Sequence, residues 1–312
     1  MDNSGDTDDL PKDTRFLEIL PGFGVFENGD QIPRKKRRTK KNMLKVNVKS
    51  QLPVLLKYIP EEDPDWDRFD KLFSQKEKSR IQEAKGETMF IEACLYDIIL
   101  AARKRNMDAI ILLGFFEVML EELLEYINDE EKDMIQKNIK NMLVNLDFRY
   151  LNFIGELAVL NGMMKSGLYR IEQVECKLPD SASRIDFKLR KISDGSIWWV
   201  EVLNIHPDGD RIELDKGKVA RFFTDRYLQK IASKKTETPI YLIPVIWAGR
   251  DVLVLLSAYF SQYPLSVDMV HEPFVYASFR AGNKKSQISY LFTTISELYK
   301  YTRISKFDIK FD

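Results

Sequence analysis

The sequence predicts an α/β protein in which a mixed central sheet, flanked by helices, follows an α-helical segment. Two observations carry this prediction. Residues 68–146 show helical spacing of apolar side chains with few glycines and no proline. Residues 184–247 instead give strand-like runs, then a helix-like run, then another apolar strand-like run. A strand–helix–strand order of this kind requires a sheet with helices packed on its faces.

Residues 1–43 are expected to form a mobile arm, because they hold too few apolar side chains to build a core. Residues 1–33 carry eight acids and two basic residues, and seven cations then occupy the eight positions 34–41. We expect these cations to contact nucleic-acid phosphates. A nuclear-import signal and a solvated charge run remain open alternatives. The cations are Arg34, Lys35, Lys36, Arg37, Arg38, Lys40 and Lys41.

Residues 44–145 are predicted to form a mainly helical domain of about three to four packed helices. The most apolar run, Ala109 to Tyr126, contains four glutamates, which favours a packed helix over a membrane span. Asn128 to Glu131 marks a turn and a fresh helix start. These helices carry no recognisable chemistry, so a helical interaction scaffold stays open as one function class.

Residues 146–312 are predicted to form the α/β domain, beginning with a helix that contains Glu156 and closes at Gly167. Two strand-like runs over residues 184–204 are separated by Ser193-Asp194-Gly195-Ser196, a strong hairpin signal. The remaining elements are a helix at 212–235, a buried strand at 239–247, an ambiguous segment at 251–260, a strand at 274–280 and a terminal helix at 290–300.

Each strand of the predicted hairpin carries one acid, Asp186 and Glu201. Pairing around the turn makes opposed residue numbers sum to about 388–390, which leaves the two acids as neighbours across the ladder. Carboxylates among apolar neighbours repel each other unless a cation lies between them, and a divalent metal is the usual one. The alternative is that both acids face solvent on an edge hairpin.

An acid on one strand, a hairpin and an acid on the next strand resemble the PD-(D/E)XK nuclease superfamily, over residues 146–250. The resemblance implies a restriction-endonuclease-like fold and hydrolysis of phosphodiester bonds in DNA or RNA, with DNA the favoured partner. It also implies that Asp186, Glu201 and the backbone carbonyl of Val202 bind Mg²⁺ or Mn²⁺. Glu156, on the preceding helix, takes the place of the superfamily's helix acid.

The sequence departs from the superfamily at its motif lysine, because Leu203 stands at that position. Lys188 is the first candidate for a relocated lysine, since strand alternation places it on the same face as Asp186. The helix after the second strand offers Gln229 or Lys230 instead. A nuclease fold that has lost cleavage and binds nucleic acid or a protein partner is therefore the alternative function.

Composition sets wider limits on function. The 312 residues have zero net charge, so nucleic-acid binding must come from local patches. Two cysteines and two distant histidines give no zinc or catalytic-triad pattern, and the cysteines favour a reducing compartment. No membrane or targeting segment is evident. We expect a cytoplasmic protein, nuclear if eukaryotic, with a homodimer left open.

Overall fold

The computed structural model of the chain describes residues 23–26, 43–84, 89–207, 215–281 and 287–302. The strands in these ranges are β1 (Phe23–Phe26), β2 (Met89–Glu92), β3 (Tyr169–Lys177), β4 (Arg184–Lys191), β5 (Ile197–Ile205), β6 (Ile240–Ile246), β7 (Phe274–Ala281) and β8 (Gln287–Thr294). The helices there are α1 (Met43–Gln51), α2 (Leu55–Tyr58), α3 (Asp65–Ala84), α4 (Leu95–Arg103), α5 (Met107–Tyr126), α6 (Asp129–Val144), α7 (Tyr150–Lys165), α8 (Lys216–Ser233), α9 (Arg250–Gln262) and α10 (Ile295–Thr302).

A six-stranded sheet in the order β3-β4-β5-β6-β7-β8 forms the centre of the described chain. Strands β3, β4 and β5 pair antiparallel, β5 to β7 pair parallel, and β8 returns antiparallel to β7. Helices α8 and α9 make the crossovers that parallel pairing requires. The mixed α/β class predicted from the sequence is therefore confirmed.

The two faces of the sheet pack against different helices. Val200 and Val202 of β5 are buried in a core that also takes in residues of α4 to α7. Ile205, which alternates to the other face, is buried with side chains of α8, α9 and α10. The helices between Met43 and Val144 thus share one continuous core with the sheet.

The predicted hairpin is confirmed, since β4 and β5 are joined by a turn in which Gly195 has a φ of 71°. A left-handed conformation of this kind is one that glycine adopts without steric cost. The register differs slightly from the expected one, because Phe187 pairs with Val200 and opposed numbers sum to 387. Asp186 and Glu201, whose numbers have the same sum, lie one position beyond the last pair of this ladder.

Several segments differ from the sequence prediction. Strand β1 lies in the segment expected to form a mobile arm, and it pairs with β2, which lies in the run predicted as helical. The segment predicted as a terminal helix at 290–300 is a strand up to Thr294, and α10 begins at Ile295. Pairing of Tyr290 with Ser278 on β7 overrides the helical spacing of the apolar side chains. Strand β3 was not predicted, and the ambiguous segment at 251–260 lies in α9. None of the helices in the described ranges is long and apolar enough to cross a membrane.

Candidate functional site

A fork between β4 and β5 positions Asp186. The recorded pairing of the two strands ends at Phe187 and Val200, while β4 continues alongside β3 and β5 alongside β6. Beyond that point the Oδ2 atom of Asp186 accepts a hydrogen bond from the backbone N–H of Val202 at 2.7 Å. The carboxylate thus replaces a backbone acceptor of the ladder, and it is fixed where the strands separate.

Glu201 lies beside Asp186 and is almost completely enclosed, with 2% of its surface exposed. Its Oε1 atom is 2.7 Å from the ammonium groups of both Lys230 in α8 and Lys234, which directly follows α8. Its Oε2 atom is buried and has no hydrogen-bond partner among the described residues. Leaving a buried carboxylate oxygen unpaired is costly, which points to a ligand on that side of Glu201.

Burial and charge both act on Asp186. Enclosure of its carboxyl group and the nearby charge of Glu201 raise its pKa from 3.8 to about 7, against the opposing effects of the Val202 N–H and the two lysines. Burial lowers the pKa of the Lys230 ammonium, but the carboxylates of Glu201, Asp186 and Glu156 outweigh it, and the net shift is upward. Lys230 is therefore held in its charged form.

Glu156 approaches the fork from α7, on the face of the sheet opposite to α8. Burial, and then the charge of Asp186, raise its pKa well above the ordinary value. Its Oε2 atom accepts a hydrogen bond of 3.2 Å from the Nδ2 group of Asn138. Glu175 and Glu201 raise it further, whereas the Lys230 ammonium opposes the shift. The charges of Asp186 and Glu201 thus both act on Glu156, and that of Glu201 acts on Asp186.

The close approach of α7 to β5 depends on Gly155. A Cβ atom at this position would lie 2.1 Å from Oδ1 of Asn204. Asn204 is fixed in turn, because Trp247 donates to its Oδ1 at 2.8 Å and its Nδ2 donates to the carbonyl of Asn152 at 3.1 Å. Asn204 thus contacts α7, whereas Glu201 contacts a lysine of α8. The absence of a side chain at Gly155 therefore allows the neighbouring Glu156 to reach the fork.

The first candidate for the relocated lysine, Lys188, is engaged elsewhere. Its ammonium is 2.9 Å from Oε2 of Glu172 and 5.6 Å from the ring centre of Trp199. The second candidate, Lys230, contacts Glu201 directly, whereas Gln229 is exposed. The structure thus brings Lys230, and not Lys188, into contact with an acid of the fork.

Leu203, Val202 and His206 contact other parts of the fold. Leu203 is partly buried against the core on the α8 side. Val202 pairs with Ile243 in the parallel ladder. His206 contacts Oδ1 of Asn152 at 2.9 Å, and burial lowers its pKa to about 4, so the ring is neutral.

The sequence analysis missed Lys234, the second lysine on Glu201. It comes four positions after Lys230, at the C-cap of α8, so about one helical turn brings both side chains to the same side. That spacing was the available signal. It also missed Glu175 of β3, which has a φ of 49°, forms an ion pair with Lys137 at 2.5 Å and contributes to the raised pKa of Glu156. The predicted phosphate-contacting tract at 34–41 lies outside the described residues.

A divalent cation at the fork would need several oxygen ligands close together. No three Asp, Glu, His or Cys side chains in the described ranges form a group that could hold a metal ion. The set predicted for Mg²⁺ or Mn²⁺ needs only two carboxylates, Asp186 and Glu201, with a backbone oxygen of Val202. The unpartnered Oε2 of Glu201 fits such a role, since hard cations bind oxygen ligands.

Comparisons with known proteins do not name a family. No protein-family model matches the chain, and neither the curated proteins nor the solved structures contain a detectably similar one.

Proposed function

We propose that this chain is a metal-dependent endonuclease that hydrolyses phosphodiester bonds in DNA or RNA, with DNA the favoured substrate. The proposal includes a restriction-endonuclease-like arrangement of the mixed sheet, with the fork between β4 and β5 as the active site. The observation that carries it is the enclosed Glu201 carboxylate, which has lysines on one oxygen and no partner on the other. Asp186 stands beside it on the neighbouring strand.

The roles of the residues follow from their surroundings. Asp186 and Glu201, with the Val202 carbonyl, would hold Mg²⁺ or Mn²⁺. Such an ion, when bound, lowers the pKa of a coordinated water and offsets charge on a phosphate. Lys230 supplies a positive charge for the phosphate in place of the lysine that Leu203 replaces. Glu156 keeps its proton to a higher pH than an ordinary glutamate, and it positions water by hydrogen bonding.

In the test, the purified full chain is incubated with Mn²⁺ or Mg²⁺ and one of four substrates. These are plasmid DNA, linear duplex DNA, single-stranded DNA and RNA. We expect cleavage to need the metal and to be lost in Asp186→Asn and Lys230→Gln. Lys218→Gln is the matched control, because it removes one charge from the same helix about 18 Å away, at about 1.5 Å per residue. Cleavage that persists in Asp186→Asn, or none by the intact chain on any substrate, would reject the proposal.

A second candidate function is binding without cleavage by a nuclease fold that has lost its chemistry. Leu203, packed against the α8-side core where the superfamily has its lysine, favours this candidate. It predicts salt-sensitive binding of DNA that survives Asp186→Ala and weakens when residues 34–41 are deleted. Binding that depends on Asp186 and the metal would instead favour the endonuclease.

A further inference from the structure

The two lysines on Glu201 have an electrostatic consequence for cation binding. Asp186 and Glu201 carry two negative charges when ionised, and Lys230 and Lys234 bring two positive charges to the same place. Charges a few ångströms apart interact strongly where water is excluded. A divalent ion entering this fork therefore meets a site that is already neutralised.

The two lysines are not equivalent. The Lys234 side chain is 12% exposed, and its ammonium also donates to the backbone carbonyl of Arg184. The Lys230 side chain is 32% exposed, and Glu201 is its one recorded ion-pair partner in the ranges that the structure describes. Moving Lys230 toward solvent breaks one contact, whereas moving Lys234 breaks two. Lys230 is thus the easier of the two to displace.

We propose that Lys230 is an exchangeable counterion that makes metal binding at Asp186 and Glu201 dependent on the arrival of a substrate phosphate. The inference rests on the proposed endonuclease function and deepens it. A phosphate near the fork draws Lys230 off Glu201, and the site then gains a net negative charge. Lys234 stays in place and keeps Oε1 of Glu201 oriented, so that the unpartnered Oε2 would be available to an ion.

The proposal can be tested without measuring cleavage. If DNA phosphate tightens Mn²⁺ binding by some factor, thermodynamic linkage requires Mn²⁺ to tighten DNA binding by the same factor. The experiment is titration of the full chain with Mn²⁺ at about pH 8, with free Mn²⁺ followed by electron paramagnetic resonance. The titration is run on the protein without DNA, on the protein with a short phosphorothioate DNA duplex, and on the protein with a duplex whose backbone is uncharged methylphosphonate. Asp186→Asn protein with the same DNA measures Mn²⁺ held by the DNA itself.

We expect the phosphorothioate duplex to tighten Mn²⁺ binding at least about ten-fold, which corresponds to about 1.4 kcal/mol. The methylphosphonate duplex should have no such effect. Lys230→Gln should bind Mn²⁺ about ten-fold more tightly than the unmodified chain without DNA, and should gain nothing from DNA. Lys234→Gln should keep its dependence on DNA, and Lys218→Gln should match the unmodified chain.

The outcomes separate this inference from the function on which it rests. Equal Mn²⁺ affinity in the unmodified chain and Lys230→Gln, or an affinity that DNA leaves unchanged, would overturn the counterion role alone. Mn²⁺ bound by neither of these proteins beyond the Asp186→Asn level would overturn the metal site itself. Lys230→Met keeps the apolar stem and should repeat the Lys230→Gln result, and circular dichroism confirms that each variant is folded.

Discussion

Replacing Asp186 by asparagine is expected to stabilise the protein at neutral and higher pH. The pKa of Asp186 rises from 3.8 to about 7, chiefly because its carboxyl group is enclosed and lies beside Glu201. Each pKa unit corresponds to about 1.4 kcal/mol. Ionising Asp186 therefore costs up to about 4 kcal/mol more in the folded protein than in the unfolded chain.

The sign of the pH dependence follows from linkage. Between about pH 4 and 7 the folded protein holds a proton on Asp186 that the unfolded chain has released, so stability falls as the pH rises through this window. Asparagine has no such titration, and its side-chain oxygen still accepts the Val202 N–H. Asp186→Asn should then raise the free energy of unfolding by about 2 to 4 kcal/mol at about pH 8, and by little at about pH 4.

The assay is urea unfolding in the absence of metal, followed by tryptophan fluorescence at several pH values, for both proteins. Asp180→Asn gives a contrast of opposite sign, because hydrogen bonds from Thr236 and the Glu237 N–H lower the pKa of Asp180 to about 2. That variant should lose stability at neutral pH and not near pH 2. A less stable Asp186→Asn at about pH 8, or a difference independent of pH, would refute the reasoning.

Two further predictions concern packing and a buried ion pair. Gly155→Ala should lower the free energy of unfolding by about 2 to 3 kcal/mol, because the new Cβ would lie 2.1 Å from Asn204. At Gly162, on the same helix, a Cβ meets nothing within 4 Å, so Gly162→Ala should raise the free energy of unfolding by about 0.5 to 1 kcal/mol. Equal unfolding midpoints for the two variants would contradict this account. Arg80→Met should lower the free energy of unfolding by about 3 kcal/mol. Arg80 is 4% exposed and its Nη1 atom is 2.6 Å from Oδ1 of Asp97, so the substitution leaves the Asp97 carboxylate without its cation. Asp97→Asn together with Arg80→Met should recover part of that loss in thermal unfolding.

The sequence alone determined the local parts of the proposed site. Strand-forming side chains on both sides of Gly195 predicted the hairpin, and the expected pairing placed Asp186 and Glu201 near each other, which the structure puts just past the end of the observed ladder. The helix that carries Lys230 followed from its apolar spacing. Turn chemistry and side-chain periodicity act over a few residues, which is why these features could be predicted.

Only the tertiary structure decided which lysine meets the acids. Lys188 has the right strand position, yet the unpredicted β3 carries Glu172 to its ammonium. Lys230 and Lys234 meet Glu201 because the crossover helix packs on that face of the sheet. Likewise, the pKa of Asp186 is raised because segments distant in sequence bury its carboxyl group. Long-range pairing and desolvation depend on elements far apart in sequence, and no local pattern encodes them.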